Sequence, residues 1–170
     1  MKLLRYPLFF IFFLCFGSTS LSANEQISFV DVDKLMKQTI LGKKIIQNLN
    51  QLNKKNIILL KSKEDEIKDL ETNINKQKNI ISEEELRSKI KSLQNEVSTF
   101  RKEKEKLINE FNIKKNQELS NFFKKASPLI QDYIKNKDIS IVLDKKNIFI
   151  GNQDNDITND IIILLDSKLR

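Results

Sequence analysis

Three aspartates raise the first chemical question. Asp31 and Asp33 fall at the end of an apolar stretch, Ile27 to Val32, and Asp144 closes another, Ile139 to Leu143. If those stretches were neighbouring strands, the three carboxylates would cluster and could move a proton or hold a cation. Carboxylates that end strands and begin turns more often accept bonds from backbone amides, and that structural role is the expectation here. A second polar run, Asn152-Gln-Asp154-Asn-Asp156, has the acidic spacing of a calcium loop but lacks the central glycine and closing glutamate. It is better read as a turn ahead of a helix starting at Thr158. The chain has no histidine, and its one cysteine, Cys15, sits in an apolar run near the N-terminus. His-based acid–base chemistry and Cys or Ser-His nucleophilic catalysis are therefore excluded or severely handicapped. No Gly-rich phosphate loop exists, so the expectation is a protein without enzymatic activity, cofactor or metal.

What the sequence has in quantity is lysine. Of 30 Lys/Arg and 23 Asp/Glu, residues 43–125 hold 20 and 13, a local excess of +7, while 24–42 and 126–170 each come to −1. A basic middle segment attracts anionic partners such as anionic lipid head groups or acidic unfolded chains. Lys54, Lys55, Lys76, Lys78, Lys114 and Lys115 are the candidates for such a diffuse surface. The competing reading is a solvated helical face. A nucleic-acid binder would also explain the charge, but the segment lacks the aromatic interleaving of single-strand binders, and the N-terminus marks the chain for export.

That N-terminus combines Lys2 and Arg5, an uninterrupted apolar run from Leu8 to Phe16, and small residues from Gly17 to Ala23. This is the pattern of a signal peptide, residues 1–23, cleaved after Ala23 or alternatively after Ser22. Nine apolar residues are too few to span a bilayer, for which about 20 are needed. Phe13 and Leu14 before Cys15 do not suit lipoprotein processing. The mature chain then has no cysteine and must be stabilised by packing and assembly.

The elements that position these residues follow from spacing. Gly and Pro are absent from Lys43 to Ser127. Ile46, Asn53, Leu60, Ile67, Ile74 and Ile81 repeat at seven, with Leu49, Asn56, Lys63, Leu70 and Gln77 as the second seam row. A second series, Leu86, Leu93, Phe100 and Leu107 with Ile90, Val97, Lys104 and Phe111, is out of register with the first. Between them Ser82 and Glu85 have capping-box spacing, and Glu83 to Glu85 suit the positive end of a helix dipole. Two helices packed antiparallel, turning near 79–84, are predicted in preference to one helix of twice the length. The polar seam residues Asn53, Asn56, Lys63, Gln77 and Lys104 either set register or make the arm compliant. Ser127-Pro128 marks a kink or a restart, and the helix should run to about Lys135.

Outside this segment β-branched and aromatic residues predict strands at 27–32, 139–143 and 147–150, then a helix from Thr158, as its N-cap, to Leu169. The fold class expected is mainly α with a small β head: a coiled-coil arm (43–127) plus an α/β head built from 24–42 and 128–170. So small a core rarely stands alone, which points to oligomerisation through the head, with Phe29, Val30, Ile141, Leu143, Ile148 and Ile150 as its buried strand residues.

Two stretches carry a resemblance. Ile27-Ser-Phe-Val-Asp-Val-Asp-Lys-Leu followed by Leu41-Gly42-Lys43-Lys44, and Ile139-Ser-Ile-Val-Leu-Asp144 through Ile150 followed by Asp156-Ile157-Thr158, resemble the Skp (OmpH) family of periplasmic chaperones. The resemblance implies a homotrimer with a β-structured hub and three helical arms around a cavity for unfolded outer-membrane β-barrel proteins, acting without ATP; it also implies lipopolysaccharide as a partner, with no particular lysine of this arm matched to it. The alternative is an envelope coiled-coil spacer or adaptor, which would share the arm without chaperone activity.

Overall fold

The computed structural model describes residues 26–169. The leader expected over residues 1–23, with Cys15, lies outside them. A short strand, β1 (Gln26–Val30), leads into a short helix, α1 (Val32–Gln38), and then the first long helix, α2 (Ile40–Gln77). After the turn at 78–82 a second long helix, α3 (Glu83–Asn136), returns to the start, followed by β2 (Ile139–Asp144) and a closing helix, α4 (Thr158–Lys168). The fold is thus an antiparallel helical hairpin on a small head, as the spacing predicts.

The hairpin turns where capping chemistry dictates. The Ser82 hydroxyl accepts from the Glu85 N–H at 3.2 Å, and Glu83, Glu84 and Glu85 occupy the first turn of α3. The inward residues are those of the two heptad series: Leu60, Ile67, Leu70 and Ile74 on α2, and Leu86, Leu93, Val97, Phe100, Leu107 and Phe111 on α3 are buried or half-buried. Pro128 neither ends nor restarts a helix, because α3 runs through it without interruption. Ser127 and Pro128 face solvent, so water can satisfy the carbonyl that loses its amide partner. The chain leaves α3 through Asp138, whose φ of 53° is a left-handed conformation that aspartate tolerates better than bulkier residues.

In the head, β1 and β2 pair in parallel, with Ile27 opposite Ile141 and Phe29 opposite Leu143. Val30 and Ile139 face a core completed by Leu35 of α1, Ile45 of α2, Phe122 and Ala126 of α3, and Ile157, Ile161 and Leu165 around α4. Both ends of the arm are therefore rooted in one apolar cluster. The α1–α2 junction is compact because one buried side chain serves both helices: the Thr39 hydroxyl donates to the Leu35 carbonyl (2.8 Å) and accepts from the Gly42 N–H (3.1 Å). A Cβ on Gly42 would lie 2.7 Å from Met36 Cα and from the Thr39 hydroxyl, so the glycine is required for space rather than for backbone freedom.

Three expectations are corrected. The strand predicted to Val32 stops at Val30, because the Asp31 carboxylate accepts from the Lys34 N–H at 2.9 Å and caps α1, a helix not foreseen from the spacing. The third strand predicted at 147–150 does not form among the described residues, and the sheet has two strands. Lys145–Asn147 is instead a 3-10 turn capped by Asp144, held on its two sides by Lys145 to Asp156 (2.9 Å) and Lys146 to Asp33 (3.1 Å). Thr158 is the first residue of α4 rather than its cap; that position falls to Ile157, which makes no side-chain capping bond.

Candidate functional site

The three aspartates come together around Lys146, whose charged form all three favour, and each also makes a structural bond. Asp31 caps α1, Asp33 pairs with Lys146, and Asp144 accepts from the Lys146 N–H at 3.1 Å. No group of three or more His, Cys, Asp or Glu is placed to hold a metal among the described residues. The polar run 152–156 is a turn: Asn152 caps the 3-10 segment Gln153–Asn155, and Asp156 is turned into the head. There burial opposes its charge, yet bonds from the Thr158 hydroxyl, the Lys145 ammonium and the Thr158 N–H hold its carboxyl below the usual carboxylate range. The Thr158 hydroxyl also accepts from the Asp31 N–H at 2.9 Å. This knot ties β1, α1 and α4 together. A second tie joins the arm to α4: Tyr133 donates to Asp160 at 2.7 Å, and burial together with that carboxylate pushes the phenol up to about 12.

The surfaces left for function are the arm and one face of the sheet. Midway along the arm Lys63 crosses to Glu103 at 2.6 Å, which raises the lysine's pKa through the hydrogen bond and the carboxylate's charge. The polar seam residue Lys63 thus has a partner on the facing helix, which fits the register-setting alternative. Beside it lies a solvent-open groove of about 280 Å³ between the two helices, with Ile67, Leu70 and Phe100 among its otherwise largely polar walls. The six candidate lysines are all exposed. Lys54 and Lys55 on α2 lie at the level of Lys114 and Lys115 on α3, near the head, whereas Lys76 and Lys78 lie by the turn. Lys114 pairs with Glu118 at 2.7 Å; the other five make no salt bridge among the described residues.

The six head residues divide sharply. Phe29 and Val30 are buried and Ile148 half-buried, whereas Ile141, Leu143 and Ile150 are exposed in the single chain. Phe29 is covered by the segment after β2, with the Lys145 ammonium 5.6 Å from its ring centroid and Gly151 close against its edge. Because residues alternate along a strand, Ile27, Ile141 and Leu143 share the Phe29 face of the sheet, away from the helices. Phe149 and Ile150 are 98% and 83% exposed. A small head thus presents an apolar face that its own chain leaves uncovered.

A family model described as Outer membrane protein (OmpH-like) matches residues 26–165, nearly all of the described chain. The chain belongs to the OmpH-like family. Within solved structures, this OmpH-like chain is similar to an OmpH-like protein from Caulobacter crescentus CB15. The TM-score is 0.73 at 16% identity, over 84% of this chain and 85% of that one. At that identity the likeness establishes the shared fold. No curated protein matches. Family membership supports a chaperone kind of function, and no helix among the described residues is long and apolar enough to cross a membrane. What spacing alone missed is the three-way bond among Asp31, Asp156 and Thr158, since residues more than 120 positions apart leave no local signal of contact. Sequence did offer one hint, the acidic residue two places before Thr158.

Proposed function

We propose that this OmpH-like protein is an ATP-independent holding chaperone of the periplasm, reached through the cleaved leader, that keeps unfolded outer-membrane β-barrel proteins soluble in transit. The observation that carries the reading is the arm in this family context. It is a two-helix rod about 60 Å long at 1.5 Å per residue, rooted in the head core but with only a thin seam of its own. Such a rod offers surface rather than an active site. In this reading the chain divides into a head (24–42 and 128–170) and an arm (43–127), and the lysines give a diffuse anionic-client surface. A substrate held by many weak contacts stays mobile and passes to any machine that binds it better.

The uncovered face of the sheet supports assembly as a homotrimer. Ile141, Leu143 and Ile150 would be buried only against another copy, whereas Val30 already belongs to the core of its own chain. Leu143→Asp should therefore yield a folded monomer, and Val30→Asp a chain that loses the head itself. Native mass measurement with circular dichroism separates the two; a normal trimer from Leu143→Asp refutes assembly through this face.

The function is tested by diluting a denatured outer-membrane β-barrel protein into buffer and following light scattering. The purified mature protein should suppress aggregation without nucleotide. Failure to do so would favour the envelope spacer or adaptor.

A further inference from the structure

The flanks of the arm carry a feature that the seam does not require. Asn56 and Leu107 are half-buried seam residues, and Ile57 and Ile108 each follow one of them by one position. In an antiparallel pair those positions lie on the same flank. They also lie at the same level: Lys63 meets Glu103, Ile57 is six residues before Lys63, and Ile108 is five after Glu103. Elsewhere this flank is polar in every heptad, with Asn50, Glu64 and Glu71 on α2 and Arg87, Gln94 and Arg101 on α3. At this one level both helices place an isoleucine there, 57% and 49% exposed, and Ile58, 60% exposed, widens the strip around α2. Together the three side chains expose roughly 300 Å² of apolar surface, at the lower end of the range in which the largest patch on a monomer is often functional.

The surroundings select the occupant. The stretches 54–61 and 104–115 hold seven lysines and two glutamates. We propose that Ile57, Ile58 and Ile108 form an anchor on the arm for extended, unfolded polypeptide segments in which apolar side chains are flanked by carboxylates. The apolar side chains would cover the isoleucines, and the carboxylates would meet the lysines on either side. The same surface of a second copy is equally basic, so like charge disfavours self-association there. The anchor rests on the chaperone reading and gives it a place and a preference.

Two fluorescein-labelled peptides of about 20 residues test it. One combines leucine, serine and glutamate; the other has lysine in place of each glutamate. Both are titrated into the mature protein and its Ile57→Gln/Ile108→Gln variant. Both positions are exposed, so helicity and assembly mass should be unchanged, and Ile80→Gln at the turn serves as a control. The acidic peptide should bind the parent and the control alike and lose about tenfold or more in affinity in the double variant. The lysine peptide should bind weakly to all three. Equal binding of the acidic peptide by parent and double variant overturns the anchor, as does equal binding of the two peptides by the parent. Binding of phosphatidylglycerol vesicles but not of the peptide through these isoleucines would also overturn it, in favour of a membrane surface. Aggregation assays separate the two readings: if parent and double variant suppress aggregation equally, the anchor fails alone, and if the parent suppresses none, the chaperone reading fails.

Discussion

Replacing Phe122 by alanine should uncouple the arm from the head. Phe122 is 1% exposed, lies in the cluster formed with Leu35, Ile45, Ala126, Ile161 and Leu165, and meets Phe123 edge-on at 5.5 Å between ring centroids. Truncation to Cβ removes about 150 Å² of buried apolar surface, or about 4 kcal/mol at about 25 cal/mol per Å². That agrees with the range of about 3–5 kcal/mol found when buried phenylalanines are cut back. A small domain has about 5–15 kcal/mol in total, so the head should be left near its threshold. In a chain starting at Asn24, Tyr133 is the only tyrosine and there is no tryptophan, so tyrosine fluorescence reports the base of α3 and its contact with α4. Urea titrations at one fixed protein concentration, because association adds apparent stability, should show the fluorescence midpoint falling well below the parent's. Ile113→Ala, in the same helix but 57% exposed, should change stability by no more than about 0.5 kcal/mol. A loss below about 1 kcal/mol for Phe122→Ala, or equal losses for both, would refute the claim that this core roots the arm.

Further outcomes follow from the head. Ultraviolet titration of the mature protein should place the Tyr133 phenol near 12, and Asp160→Asn should lower it only in part, because burial, the larger cause, remains. Because the folded state holds this proton more tightly, the contribution is full below pH 10 and is lost as pH rises toward 12, visible as a falling melting temperature over that interval. For Asp156 the sign is opposite: its folded carboxyl titrates below 3.8, so its contribution is present above that value and is lost as acid protonates it. Thr158→Val should reduce this acid dependence in pH-jump melting experiments. Gly42→Ala should destabilise the α1–α2 junction by about 1–3 kcal/mol in chemical denaturation, since the methyl group must displace Met36 backbone. Changing Lys54, Lys55, Lys76, Lys78, Lys114 and Lys115 together to Gln should slow client capture in stopped-flow mixing at low salt, without altering helicity. The parent's rate should fall as salt shortens the screening length from about 8 Å at 0.15 M to about 3 Å at 1 M.

The arm was legible because its determinants are local. Two heptad series, the break in register after Ile81, and Ser82 with Glu85 specify where the helices run and turn, and the structure agrees to within a few residues. The strand order at the ends was harder. Asn147 to Ile150 has strand composition, but two lysines just before it find Asp33 and Asp156, and the Asp144 cap bends the chain before it can pair. Helix α1 escaped notice for a related reason. Seven residues are too few to show a period, and the decisive feature is a single capping bond from Asp31.

By itself the sequence determined what depends on neighbours along the chain: helix periods, caps, charge distribution, and the absence of histidine, which removes imidazole acid–base chemistry. Tertiary structure decided what depends on residues that meet only after folding. Asp31 and Thr158, 127 positions apart, become hydrogen-bonded; Lys63 finds Glu103; Ile57 comes level with Ile108. It also decided which strand residues are inside. Alternation makes Val30 and Phe29 equivalent candidates for burial on opposite faces, but the helices cover the Val30 face, the segment after β2 covers Phe29 itself, and Ile141 and Leu143 beside it stay open. The physical reason is that burial is a property of what lands on a face, and in this fold that comes from the far side of the hairpin 43–127.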